Sequence, residues 1–122
     1  MSFEGIKTNW SLLSAADLRT KQYYAVDVDT SGEAALAGAG EQVFGSLQNK
    51  PNTGETADVQ VGGIAKFVAG AATTLGGNLA SDANGKLIDA TTGDAIVGIC
   101  LEAAAADLDI IAVFITNAGE SA

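Results

Sequence analysis

Val59-Gln60-Val61-Gly62-Gly63-Ile64-Ala65-Lys66-Phe67-Val68 sets two short apolar runs on either side of a glycine pair, and it decides the fold. Short strands punctuated by glycine turns are a β pattern, because period-two alternation builds a half-buried strand and glycine accepts the backbone of a tight turn. The next segments repeat the theme. Asn78-Leu79-Ala80-Ser81-Asp82-Ala83-Asn84-Gly85-Lys86-Leu87 reads as a second hairpin about Asn84-Gly85,. Asp94-Ala95-Ile96-Val97-Gly98-Ile99-Cys100-Leu101 reads as a buried strand. From Val59 to Leu101 there is almost no reactive side chain, so the stretch predicts a compact all-β fold without catalytic chemistry.

Working outward, Gln22–Asp29 alternates so that Tyr24, Val26 and Val28 share one face and Tyr23, Asp27 and Asp29 the other,. Val43–Gln48 reads as a short strand and Asn49–Glu55, with Pro51 and Gly54, as a loop. Asp107–Ile115 is the last strand. It turns apolar on both faces from Ile110 onward, as Ile96–Leu101 does, which predicts a central position or a face covered by another subunit,. No internal repeat of fixed period is visible.

Residues 1–20 lack this character and read as an N-terminal arm. Phe3, Ile6, Trp10, Leu12, Leu13 and Leu18 are its bulky apolar side chains. Ser14-Ala15-Ala16-Asp17 offers a weak capping box for one helical turn,. Burying six side chains falls short of the entropy of ordering some twenty residues, on about 1–2 kcal/mol per residue. The arm is therefore loose, or ordered against a partner, or packed in part on its own domain. The partner reading makes these six residues candidate contacts, with Trp10 and Leu13 as anchors. The body is expected over residues 21–116 and a short flexible polar tail over residues 117–122.

Composition excludes several functions. At 122 residues the chain suits one domain,. Its net charge of −9 comes from six basic and fifteen acidic residues, and the basic ones form no stripe, which argues against direct nucleic-acid binding and against an anionic membrane,. The N-terminus does not resemble a signal peptide, and no apolar run reaches membrane-spanning length, so synthesis in the cytoplasm is expected. Cys100 is the only cysteine and the chain has no histidine, which leaves neither a disulfide nor an activated nucleophile,. Asp27/Asp29 and Asp107/Asp109 could approach a cation as pairs on one strand face, but solvated strand-end acids are commoner. Asp82-Ala83-Asn84-Gly85 fails as a calcium loop, since glycine comes too early and no closing glutamate follows,. No metal, no cofactor and no enzyme activity are expected. Lys86, in a hairpin, leaves a carrier domain modified on lysine as an outside alternative.

The order of motifs is more specific than any one of them. Asp17-Leu18-Arg19-Thr20-Lys21-Gln22-Tyr23-Tyr24-Ala25-Val26 is followed by Val43–Asn49, Gly54–Lys66, Gly77–Lys86 and Val97–Ala103. This succession, over about Asp17–Ile115, resembles the small decoration, or cement, proteins of tailed-bacteriophage capsids. The resemblance implies a small β-barrel or β-tulip and a role as a capsid decoration protein. It further implies binding to the major capsid protein on the outside of an expanded head, often as a homotrimer, in a virion rather than a cell. It brings no catalytic motif. Another phage structural subunit, of a tail tube or head fibre, is the nearer alternative.

Overall fold

In the computed structural model, residues 8–117 and 119 are described, and among them there are ten strands and no helix. β1 (Thr8–Leu13), β2 (Ala25–Val28), β3 (Ala34–Leu36), β4 (Gly45–Leu47) and β5 (Thr56–Gly62) form one sheet in the order β1-β5-β4-β2-β3. β6 (Ile64–Val68), β7 (Asn78–Ser81), β8 (Leu87–Asp89), β9 (Gly98–Cys100) and β10 (Ile110–Ile115) form the other, in the order β6-β10-β9-β7-β8. All ladders are antiparallel. The fold is all-β, as the sequence predicts, but neither sheet closes into a barrel. The edges of each meet only at one isolated parallel bridge, Ser14 to Ala34 in the first and Ala69 to Leu87 in the second.

The second order is the first with every strand moved on by five. The chain is two copies of one five-stranded unit in tandem, and the correspondence reaches single bonds. Asp29 N donates to Glu33 O at 2.9 Å, and Asp82 N to Lys86 O at 2.7 Å. Each aspartate also caps its turn: Asp29 Oδ1 accepts from Ser31 and Glu33 N–H, and Asp82 Oδ1 from Asn84 and Lys86 N–H. Gly45 and Gly98 open β4 and β9. A Cβ on either would strike the backbone carbonyl across the ladder, that of Gln60 or of Phe114. The repeat escapes the sequence because what it preserves is sparse: Asp-x-x-Gly in one turn, a glycine before one strand, and buried positions filled by different apolar residues.

Each unit encloses its own core. Leu18, Val26, Ala34, Leu47, Ala57 and Val59 fill the first, with Leu12 and Phe44 packed against it. Phe67, Leu79, Leu87, Ile111, Val113 and Cys100 lead the second, which also takes in Ala25, Ala37 and Val43 from the first unit. Ala25 and Val26 therefore face opposite cores, so β2 is buried on both sides.

Several expectations change. Val59–Val68 is not a hairpin: β5 and β6 lie in different sheets, and Gly62-Gly63 is the hinge between units, with Gly63 at φ 78°. Gln60 Nε2 holds that hinge by donating to Gly62 O at 3.0 Å and Ile64 O at 2.9 Å. Asn84-Gly85 does mark a hairpin, β7–β8, but through a longer loop in which only Gly85 is left-handed. The expected buried strand Asp94–Leu101 contracts to Gly98–Cys100. The capping-box segment forms no helical turn; Ser14 is buried at the bridge, its Oγ donating to Ala16 O. Within the expected arm, Thr8–Leu13 is an edge strand paired with β5, Leu12 opposite Ala57 and Trp10 opposite Val59.

Candidate interaction surface

Among the described residues, two apolar surfaces are uncovered. The first is β1. Trp10 and Leu12 lie on the core side of the strand, but only Leu12 reaches the core; Trp10 overhangs it and is 61% exposed. Leu13, on the opposite side, is 52% exposed. Leu18 is only 3% exposed and anchors its loop by donating N–H to Pro51 O at 2.9 Å. Of the six expected contacts, then, Trp10 and Leu13 face solvent, Leu12 is shared with the core and Leu18 is core. Phe3 and Ile6 lie outside the described residues.

The second surface is the outer face of the second unit, which sequence reasoning did not name as a site. Antiparallel register sets Ile64, Phe114 and Ile99 side by side across β6, β10 and β9, with Ile110, Ala112 and Leu101 next to them. Phe114 is 43% exposed. In the first unit the same positions are Asn9, Gln60, Ser46, Thr56, Asp58 and Gln48, all polar. The signal was β10 turning apolar on both faces. β10 is indeed central in its sheet, between β6 and β9, yet its outer side chains are uncovered.

The residues weighed for chemistry are engaged in structure. Asp109 Oδ2 accepts from Ala105 and Ala106 N–H, and Asp107 pairs with Lys86 at 2.8 Å. That hydrogen bond raises the Lys86 ammonium above its ordinary range, and the side chain is 15% exposed, which ties down the amine a carrier lysine would swing. Asp27 lines an open cleft of about 620 Å³ with Glu41, Phe44, Val61 and Asn117. Burial, then the neighbouring Glu41 charge and their shared hydrogen bond, push its carboxyl above the usual carboxylate range. Among the described residues no group of three or more His, Cys, Asp or Glu side chains could hold a metal ion, and no helix could cross a membrane. Cys100 is fully buried, its Sγ 3.4 Å from Thr73 Oγ1 and 3.3 Å from Glu102 O.

The tandem β scaffold can be set beside known proteins. No curated protein matches the chain. The fold is similar to that in the crystal structure of the head fiber gp8.5 N base in bacteriophage phi29, with a TM-score of 0.71 over 96% of this chain and 100% of that one, at 12% identity. Residues 14–115, from the bridge that ties β1 to β3 through to the end of β10, match the phage cement proteins. With that match running through both units, the chain belongs to the phage cement protein family.

Proposed function

We propose that this protein decorates the outer surface of an expanded phage head, bound to the major capsid protein, and stabilises the shell against internal pressure. The match of residues 14–115 to the cement family carries the reading. Two further features support it. The acidic chain, at net charge −9, suits a surface position away from packaged DNA,. Apart from Asp27 beside the open cleft, the acidic side chains that could have served catalysis cap turns or form pairs, which supports a binding role without catalysis, metal or cofactor. Self-association, with a trimer as the first expectation, lets many modest contacts act together on a closed shell. The N-terminal segment, through Trp10 and Leu13, is the proposed partner-contacting element.

The test is to add purified protein to expanded heads that lack it and measure occupancy and the temperature at which DNA is released. Saturable binding with a raised release temperature is expected; binding without stabilisation would reduce the protein to an ornament. The likeness to a fibre base favours a second reading, the base of a head fibre. Electron microscopy of native virions separates the two, since a cement protein gives low knobs and a fibre base carries a projecting shaft.

A further inference from the structure

The junction between the two units provides a template for contact between molecules. Across it, Val68 N donates to Tyr23 O at 2.9 Å and Ala25 N to Gly85 O at 2.7 Å. Ser46 Oγ donates to Lys66 O, and Gln60 Nε2 to Ile64 O. The outer face of the first unit thus receives the free edge of β6 and the tip of the β7–β8 loop. Every one of these residues has a counterpart in the other unit. Tyr23, Ala25, Ser46 and Gln60 correspond to Gly76, Asn78, Ile99 and Phe114 on the second unit's outer face; all of these are exposed except half-buried Ile99. Ile64, Lys66, Val68 and Gly85 correspond to Asn9, Ser11, Leu13 and Gly32 in the first unit, all exposed. The two surfaces that meet in the middle of the chain recur in β1 and in the second unit's outer face, where no other described residue covers them.

We propose that a second copy of this chain covers them: β1 and the β2–β3 turn of one copy dock on the outer face of the second unit of the next, repeating the internal junction between molecules. The residue changes fit that use. Of the four bonds at the internal junction, the two backbone ones can recur, through Leu13 N–H to Gly76 O and Asn78 N–H to Gly32 O, while Ile99 and Phe114 replace the side-chain donors Ser46 and Gln60 with apolar contact. Where β6 brings small Ala65, β1 brings Trp10, the side-chain type most often found at the centre of an interface,. In a chain of fifteen acidic residues, β1, β6, β9 and β10 hold no carboxylate; the docking β2–β3 turn brings Asp29 and Glu33, of which Asp29 is engaged in capping its own turn. Such a contact joins two different surfaces, so it is heterologous and closes into a ring or continues as a filament. The inference deepens the self-association named above and does not depend on capsid binding.

The experiment uses the full chain in solution, with mass read by sedimentation over a range of concentrations. Wild type is expected to associate. Trp10→Glu spoils one surface and Phe114→Asp the other, so each variant alone should be monomeric. Mixed in equal amounts they should form a dimer and nothing larger, since each retains the surface that the other lacks. That complementation is specific to a head-to-tail contact. A wild type that stays monomeric throughout, variants that associate as wild type does, or a mixture that stays monomeric would each overturn the proposal. Should Trp10→Glu lower the melting temperature, Leu13→Glu, exposed on the other side of β1, takes its place. Loss of capsid binding by Phe114→Asp in a protein that is monomeric as wild type would place the capsid on this face, and would also overturn it.

Discussion

Tyr23 stands at φ 70° where its counterpart in the second unit, Gly76, stands at φ 78°. The pairing is held by the same bonds: Tyr23 N donates to Leu47 O as Gly76 N does to Cys100 O, and Leu47 N returns to Tyr24 O as Cys100 N does to Gly77 O. The left-handed residue belongs to the unit, whatever side chain fills it. The same holds for Gly54 and Leu108, at φ 80° and 73°. A side chain at such a position costs about 1–2 kcal/mol.

Leu108 is exposed, so its strain is not offset by burial. Leu108→Gly should relieve the strain and give back part of it to the more flexible unfolded chain, for a net gain of about 0.5–1 kcal/mol. The reverse change, Gly54→Leu, should cost about 1–2 kcal/mol. Chemical denaturation of both variants checks the sign of each.

Gly45 and Gly98 leave no room for a methyl group, and what each would strike is backbone. Gly45→Ala and Gly98→Ala should each destabilise by about 3 kcal/mol, at the upper end of ordinary overpacking. Similar losses in the two variants would confirm that the positions are equivalent. A neutral result at either would show that its ladder can shift.

Leu18 and Trp10 separate core from contact. Leu18→Ala should cost about 2–5 kcal/mol, as for other buried leucines, while capsid occupancy at low temperature stays intact. Trp10→Ala should do the opposite, sparing the melting temperature and reducing occupancy. Equal effects on both readouts from Trp10→Ala would mean that the ring serves the fold.

Asp27 makes stability depend on pH in an unusual direction. Its carboxyl holds a proton more tightly in the folded chain than in the unfolded one, because of burial and then Glu41. Stability is therefore full below the unfolded carboxylate range and falls as pH rises through the raised folded value. Asp27→Asn should raise the melting temperature near neutral pH, with the gain vanishing in acid. Asp17 runs the other way, lowered to about 2 by hydrogen bonds from Arg19, but its side chain is open to water and solvent screening leaves it little influence,.

The sequence shows β structure wherever alternation or a turn signal is local. Asn84-Gly85 finds its hairpin, and Val43–Gln48 and Asp107–Ile115 find their strands. It fails at Gly62-Gly63, because a glycine pair between two strands fits a hairpin and a hinge equally well; which one forms depends on partners distant in sequence. It undervalues β1, where Trp10 and Leu12 alternate with Asn9 and Ser11 over too few residues to stand out. The apolar outer face could be read only as a doubled hydrophobicity in β10, since Ile64, Ile99 and Phe114 come together through pairing alone. The tandem repeat survives as a scatter of turn residues and escapes notice until the strand orders are compared.

The single thiol sits in only one of the two units. Leu47 fills the corresponding place in the first, so that half is silent to any thiol reagent. Cys100, fully buried, can react only when the second unit opens,. Labelling kinetics in the unmodified protein therefore time the opening of one half of the tandem, and a Leu47→Cys, Cys100→Ala variant would time the other. If the two clocks agree, the halves open as one. If they differ, each half yields on its own.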